Sequence, residues 1–271
     1  MLHNTGWPAY LHLGFHATPS KTILATRKRF GPLAVQRPFY PEGEVCHVYL
    51  LHPPGGVVGS DSLQIDVTVD IGSYGLITTP GATKFYRSGG GFARQRQQLQ
   101  VANDASLEWL PQENIFFPGA RAILHTRIDI IGSARLAWWE INCLGRPVID
   151  EVFDEGTLDI GLEVHRDDRP LLIERLRVVP QSRLRSALLN GRPVNGIALL
   201  NHAGTQHLNI VQEMIADFGN LVGVTLIEDM LIVRYLGNCT KQARSLFTLI
   251  WQSLRLPLLL RPANAPRIWS T

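Results

Sequence analysis

Apolar and polar positions alternate in short bursts through the first two hundred residues and settle into helical spacing near the carboxyl end. Residues 33–35, 45–51, 63–69, 75–79 and 97–101 are brief runs rich in β-branched or alternating apolar side chains, the pattern of strands. Residues 124–131, 135–144, 161–165 and 171–179 continue it. Glycine and proline punctuate the joins at Pro53-Pro54-Gly55-Gly56, Pro80-Gly81, Gly89-Gly90-Gly91, Pro118-Gly119 and Gly145-Arg146-Pro147. Many short strands at close spacing predict a sandwich, a barrel or a β-helical stack rather than alternating strands and helices.

Two helices are predicted afterwards. Residues 207–218 place Leu208, Val211, Met214, Ile215 and Phe218 on one face, with Thr205 as N-cap and Gly219 as stop. Residues 240–256 repeat the design with Ala243, Leu246, Phe247, Ile250, Trp251 and Leu254. Both stripes are expected to pack on the sheet. Residues 222–227 and 230–236 flank Glu228-Asp229 as a β-hairpin. No internal repeat, low-complexity run or linker is evident, so residues 1–271 are expected to form one domain.

Composition narrows the function classes. With 45% hydrophobic and 18% charged residues there is material for a core and no sign of global disorder. A net charge of +3 without a Lys/Arg run of the kind that tracks a phosphate backbone argues against nucleic acid. Three dispersed cysteines, Cys46, Cys143 and Cys239, suggest neither a disulfide framework nor a zinc site. No apolar run reaches the ~20 residues of a membrane span, and the amino terminus does not read as a secretory signal. The expectation is a cytoplasmic protein with no membrane partner.

Several constellations carry candidate chemistry. His52 and Asp61 bracket a glycine-rich turn; they are acceptable Ni(II) donors, or Asp61 simply bonds backbone amides there. Lys84, Tyr86 and Arg87 follow Pro80-Gly81; if buried, the cations need carboxylates such as Glu108, Glu113 or Glu140. Glu140 follows Trp138 and Trp139, which predicts a buried carboxylate, with Arg146 as a natural partner. Asp150, Glu151, Asp154 and Glu155 read as a solvated turn with weak cation affinity at most. Glu174 stands among apolar neighbours and points either into an interior channel or to solvent. Cys46 and His47 are adjacent, hence on opposite faces of a strand. No Gly-x-Ser-x-Gly elbow, activated cysteine or phosphate loop is present.

Several uncommon words occur in order: Gly31-Pro32-Leu33, residues 52–61, 78–88, 107–117, 139–146 and 153–156, and the terminal Pro266-Arg267-Ile268-Trp269-Ser270-Thr271. On these the chain resembles the UreD/UreH family of urease accessory proteins nearly end to end. One departure is Ser60, where many members have a glycine. The resemblance implies a mainly β, β-helix-like stack of many short strands with two α-helices near the C-terminus. It implies a non-enzymatic scaffold joining the UreF and UreG accessory proteins to apo-urease, with no tightly bound cofactor and transient Ni(II) passing through an internal tunnel. Asp61, Glu140 and Glu174 are then expected along the nickel path, with His52, Lys84, Tyr86, Arg87, Glu113 and Arg146 as supporting residues. The alternative is a β-helical hydrolase using Asp61 and Glu140 as an acid/base pair.

Overall fold

The Gly and Pro signals fall at the corners of a coil. In the computed structural model, which describes residues 6–270, successive circuits of the chain pair through parallel strands. A hairpin of β1 (Pro8–Ala17) and β2 (Thr22–Phe30) and the short β3 (Ala34–Val35) come first. The first circuit holds β4 (Cys46–Leu51) and β5 (Ser62–Val69); the second holds β6 (Tyr74–Thr78), β7 (Thr83–Phe85) and β8 (Ala93–Val101). The third is β9 (Ser106–Trp109), β10 (Asn114–Phe116) and β11 (Arg121–Ile130). The fourth is β12 (Arg135–Arg146), β13 (Glu151–Val152) and β14 (Thr157–Arg166). The fold is therefore mainly β, a β-solenoid of about four turns.

Three walls surround the interior. β5, β8, β11 and β14 form one, in a register that sets Ile65 beside Gln97, Gln97 beside Thr126 and Thr126 beside Leu162. β4, β6, β9 and the first half of β12 form the second. The third is narrow: Val57 bridges to Phe85, β7 pairs with β10, and β10 pairs with the second half of β12. The same-wall strands are parallel because a whole circuit separates them; here the other walls, rather than helices, supply the crossover that parallel pairing requires.

Beyond the fourth circuit the pairing turns antiparallel. β15 (Arg169–Val178) returns along β14, extending the first wall. β16 (Val194–Leu200) then returns along β12, followed by α1 (Thr205–Met214), the hairpin β17 (Val222–Ile227) and β18 (Met230–Gly237), and α2 (Thr240–Leu259). The hairpin matches its sequence signal, with Glu228 at φ 53° in the turn.

The helix ends differ from expectation. Gly204, not Thr205, occupies the cap of α1, and His207 Nδ1 accepts its N–H at 3.0 Å. α1 stops at Met214, where the chain tightens into a 3₁₀ turn (Ala216–Leu221) containing Gly219 at φ 55°. α2 runs past Pro257, because Leu258 and Leu259 are buried and hold its last turn on the sheet. Thr271, the end of the last sequence word, lies outside the described residues.

Two apolar cores result. One fills the coil, with Leu11, Ile65, Leu99, Leu107, Leu136 and Trp138 among its members. The other lies between the outer face of the second wall and α2, joining Ala137, Trp139, Ile141 and Cys143 to Phe247, Ile250, Trp251 and Leu254. β12 separates them and is buried on both faces.

Candidate functional site

Alternation along β12 fixes which side chains face inward. Leu136 and Trp138 join the inner core while Ala137, Trp139 and Ile141 join the outer one. Glu140 and Asn142 continue the inward set. On the opposite wall the cross-strand row Ile65, Gln97, Thr126, Leu162 ends at Glu174 on β15. Polar side chains thus line the inside of the coil from both walls, where an ordinary β-solenoid core would be apolar.

These groups line three adjoining cavities. The first, of about 410 Å³, has His52, Lys84, Thr79, Thr83 and Gln95 on its walls. The second, of about 30 Å³, shares Leu50, Ile65, Thr79, Thr83 and Gln95 with the first and adds Gln97, Asn114 and Glu140. The third, of about 520 Å³, shares Glu140 with the second and adds Asn142, Glu174 and Arg234. The middle chamber has room for about one water molecule.

A hydrogen-bonded chain organises the middle of this row. Asn114 Nδ2 donates to Asn142 Oδ1 at 3.0 Å, and Asn142 Nδ2 donates to Glu140 Oε1 at 2.9 Å. Among the described residues no other group bonds the Glu140 carboxylate. Burial pushes its pKa up, and the Asn142 hydrogen bond opposes this in part. Thr126 Oγ1 donates to Gln97 Oε1 at 3.2 Å on the facing wall. At the far end Arg234 on β18 reaches across to Glu174. At the near end burial draws the His52 imidazole pKa down, against the charge of Asp61.

The remaining sequence candidates lie elsewhere. Asp61 is buried, but Oδ1 accepts the Trp7 N–H at 2.8 Å and Oδ2 the Val58 N–H at 2.9 Å. It holds the turn together and lines none of the three cavities, so the expectation that it faces the interior path is corrected. No one of these cavities contains both Asp61 and Glu140, the pair a hydrolase would need. Ser60 adopts φ 76°, the left-handed backbone that favours glycine.

The cations of residues 78–88 are not buried. Arg87 pairs with Glu155 at 2.6 Å with both side chains largely exposed, rather than with Glu108, Glu113 or Glu140. Lys84 is exposed at the rim of the first cavity and makes no ion pair among the described residues. Tyr86 packs on Phe117 with ring centroids 4.9 Å apart. Arg146 pairs with Glu151, not Glu140, and lies over the Phe117 ring at 4.7 Å. Glu113 Oε2 stands 3.8 Å from Arg244 on α2. For Arg87 and Arg146 surface pairing is the physical reason: a long cation reaches a carboxylate at the rim without the desolvation that burial costs.

The charge network that is buried went unread in the sequence. Arg255 of α2 donates to Glu108 at 2.8 Å and to both oxygens of Glu42, and Glu42 accepts from His47 Nε2 at 2.6 Å. Burial pushes the Glu42 pKa up, but the hydrogen bonds from His47 and Arg255 overcome this and hold it below the usual carboxylate range. This network ties α2 to the second wall, on the opposite side from the cavities. Among the described residues no group of three or more His, Cys, Asp or Glu converges as a metal centre.

The model of the UreD urease accessory protein family matches residues 8–270. The chain belongs to that family. It is 47% identical to a urease accessory protein UreD of Alcanivorax borkumensis, over 98% of this chain and 93% of the relative. The Klebsiella aerogenes relative is likewise 47% identical, over 98% and 97%, and a Pseudomonas putida relative is 44% identical over 99% and 96%. Family membership thus extends across the whole solenoid and both helices. No helix among the described residues is long and apolar enough to cross a membrane.

Proposed function

We propose that this chain is a urease maturation factor, a non-enzymatic cytoplasmic scaffold that joins the UreF and UreG accessory proteins to apo-urease and conducts nickel to it. The relatives' names as urease accessory proteins support the first part. The observation that carries the second is the row of three cavities sharing polar lining residues from His52 to Glu174.

The lining suits a divalent ion in transit. It offers amide, hydroxyl and carboxylate oxygens and, past His52, no imidazole or thiol, so Ni(II) finds weak ligands at several stations rather than one tight site. The middle chamber is too small for a fully hydrated ion. Gln95, Gln97, Thr79, Asn114 and Glu140 replace the waters shed there. Glu140 is the one carboxylate on that chamber's wall, and an ion beside it stabilises its ionised form against burial.

The experiment is nickel-dependent activation of urease by the assembled complex carrying Gln97→Met. Methionine keeps the length of the side chain and removes its oxygen. Slower nickel loading with intact assembly supports the path; normal loading removes it and leaves the scaffold role.

A further inference from the structure

Arg234 is an unexpected residue to find lining a cation path. Its guanidinium carries the same sign as the cargo, and it reaches across the third cavity to Glu174, the carboxylate at the end of the interior row. The two come from opposite walls. Glu174 follows Thr126 and Leu162 in the first wall's cross-strand row, and Arg234 follows Glu140 and Ile197 in the second wall's. The next residue in that second row is Gly223, whose missing side chain leaves open space beside the guanidinium.

Arg234 also has a second anchor. Its Nη1 donates to Thr225 Oγ1 at 3.2 Å, so releasing Glu174 does not leave it without a partner. The other cations nearby are committed: Arg175 holds Asp159 at 2.6 and 2.7 Å, and Arg177 holds the same carboxylate at 3.1 Å. Glu174 and Arg234 are each partly reached by solvent, with side-chain exposures of 33% and 42%. Pairs of that exposure are weak and open readily.

Resting on the reading of the cavity row as a nickel path, we propose that Arg234 is a built-in competitor for Glu174, a displaceable cation that keeps the end station from retaining metal. With the pair closed, Glu174 is neutralised and a divalent ion meets a like charge. When the ion arrives, the guanidinium withdraws to Thr225 and the ion takes its place; as the ion leaves, Arg234 closes behind it and opposes its return. If the pair is formed about five-sixths of the time, the upper end for a pair of that exposure, apparent affinity at Glu174 is lowered about sixfold. The arrangement favours release over storage, which a conductor requires and a metal store does not.

Equilibrium dialysis of the full chain against NiCl₂ tests this. Arg234→Gln keeps the hydrogen bond to Thr225 within reach and removes the charge; it is expected to bind Ni(II) about sixfold more tightly at one site. Arg234→Lys, which keeps the charge, is expected to stay near wild type. The double variant Arg234→Gln/Glu174→Gln should lose the gain. An unchanged affinity in Arg234→Gln, or a gain that survives in the double variant, overturns the proposal. The path reading is judged separately, by urease nickel loading in complexes carrying Glu174→Gln: normal loading there defeats the path, whereas reduced loading with no tightening in Arg234→Gln defeats the competitor alone.

Discussion

Arg255 and Glu108 meet at 2.8 Å with neither side chain reached by solvent. The pair spans from the last third of α2 to β9, and Trp251 Nε1 donates to the same carboxylate. Removing one member leaves the other charged and buried. Arg255→Ala is therefore expected to cost about 3–5 kcal/mol. Urea unfolding should show a large drop in midpoint, whereas the exposed Arg87→Ala should shift stability by no more than about 0.5 kcal/mol.

Glu42 makes this same network sensitive to acid. Its folded pKa lies below its unfolded value near 4.5, so its contribution is present above that value and is lost as pH falls through the folded one. Urea midpoints measured from pH 7 downward should fall for the wild type below about pH 5. In Glu42→Gln the stability at pH 7 should be lower and the acid-dependent fall shallower.

Glu140 has the opposite sign. Burial raises its folded pKa above the unfolded 4.5, so the contribution of this one group is most favourable below that value and declines as pH rises through the interval between the two. Glu140→Gln keeps the bond from Asn142 and carries no charge to desolvate. Its thermal midpoint at neutral pH is expected to equal or exceed that of the wild type. Stability and function are predicted to part company here, since the same variant should slow nickel delivery.

Ser60 holds a left-handed backbone at φ 76°. Ser60→Gly relieves that strain, offset in part by the greater freedom of glycine in the unfolded chain, for a net gain of about 1 kcal/mol. Asp61→Asn in the adjacent position loses charge-assisted bonds to two backbone amides and is expected to cost about 1–3 kcal/mol. Because Asp61 lines none of the cavities, nickel delivery per folded molecule should be unchanged in Asp61→Asn, a direct comparison with Glu140→Gln.

Local patterns carried much of the architecture. The strands at 45–51 and 63–69 and the hairpin around Glu228-Asp229 were legible because alternation and turn residues act over a few positions. The burial of Glu140 was legible from its tryptophan neighbours. Strand β2 was not: Arg27, Lys28 and Arg29 are exposed at the sheet edge, so no apolar alternation marks it. Nor was Arg255, which reads as a solvent-facing helix position. Its partners Glu108 and Glu42 lie 147 and 213 residues away. The same holds for Glu174 and Arg234, brought together from opposite walls, and for Lys84 and Arg87, whose exposure depends on where the coil turns its corners.

In the proposed path nickel moves inside the solenoid past Glu140. The most direct test of this path is the nickel content of urease after incubation with complexes carrying wild-type chain or Glu140→Gln, at matched assembly and matched folded protein. Markedly less nickel per urease active site is expected with Glu140→Gln, at undiminished thermal stability. Equal nickel content would contradict it.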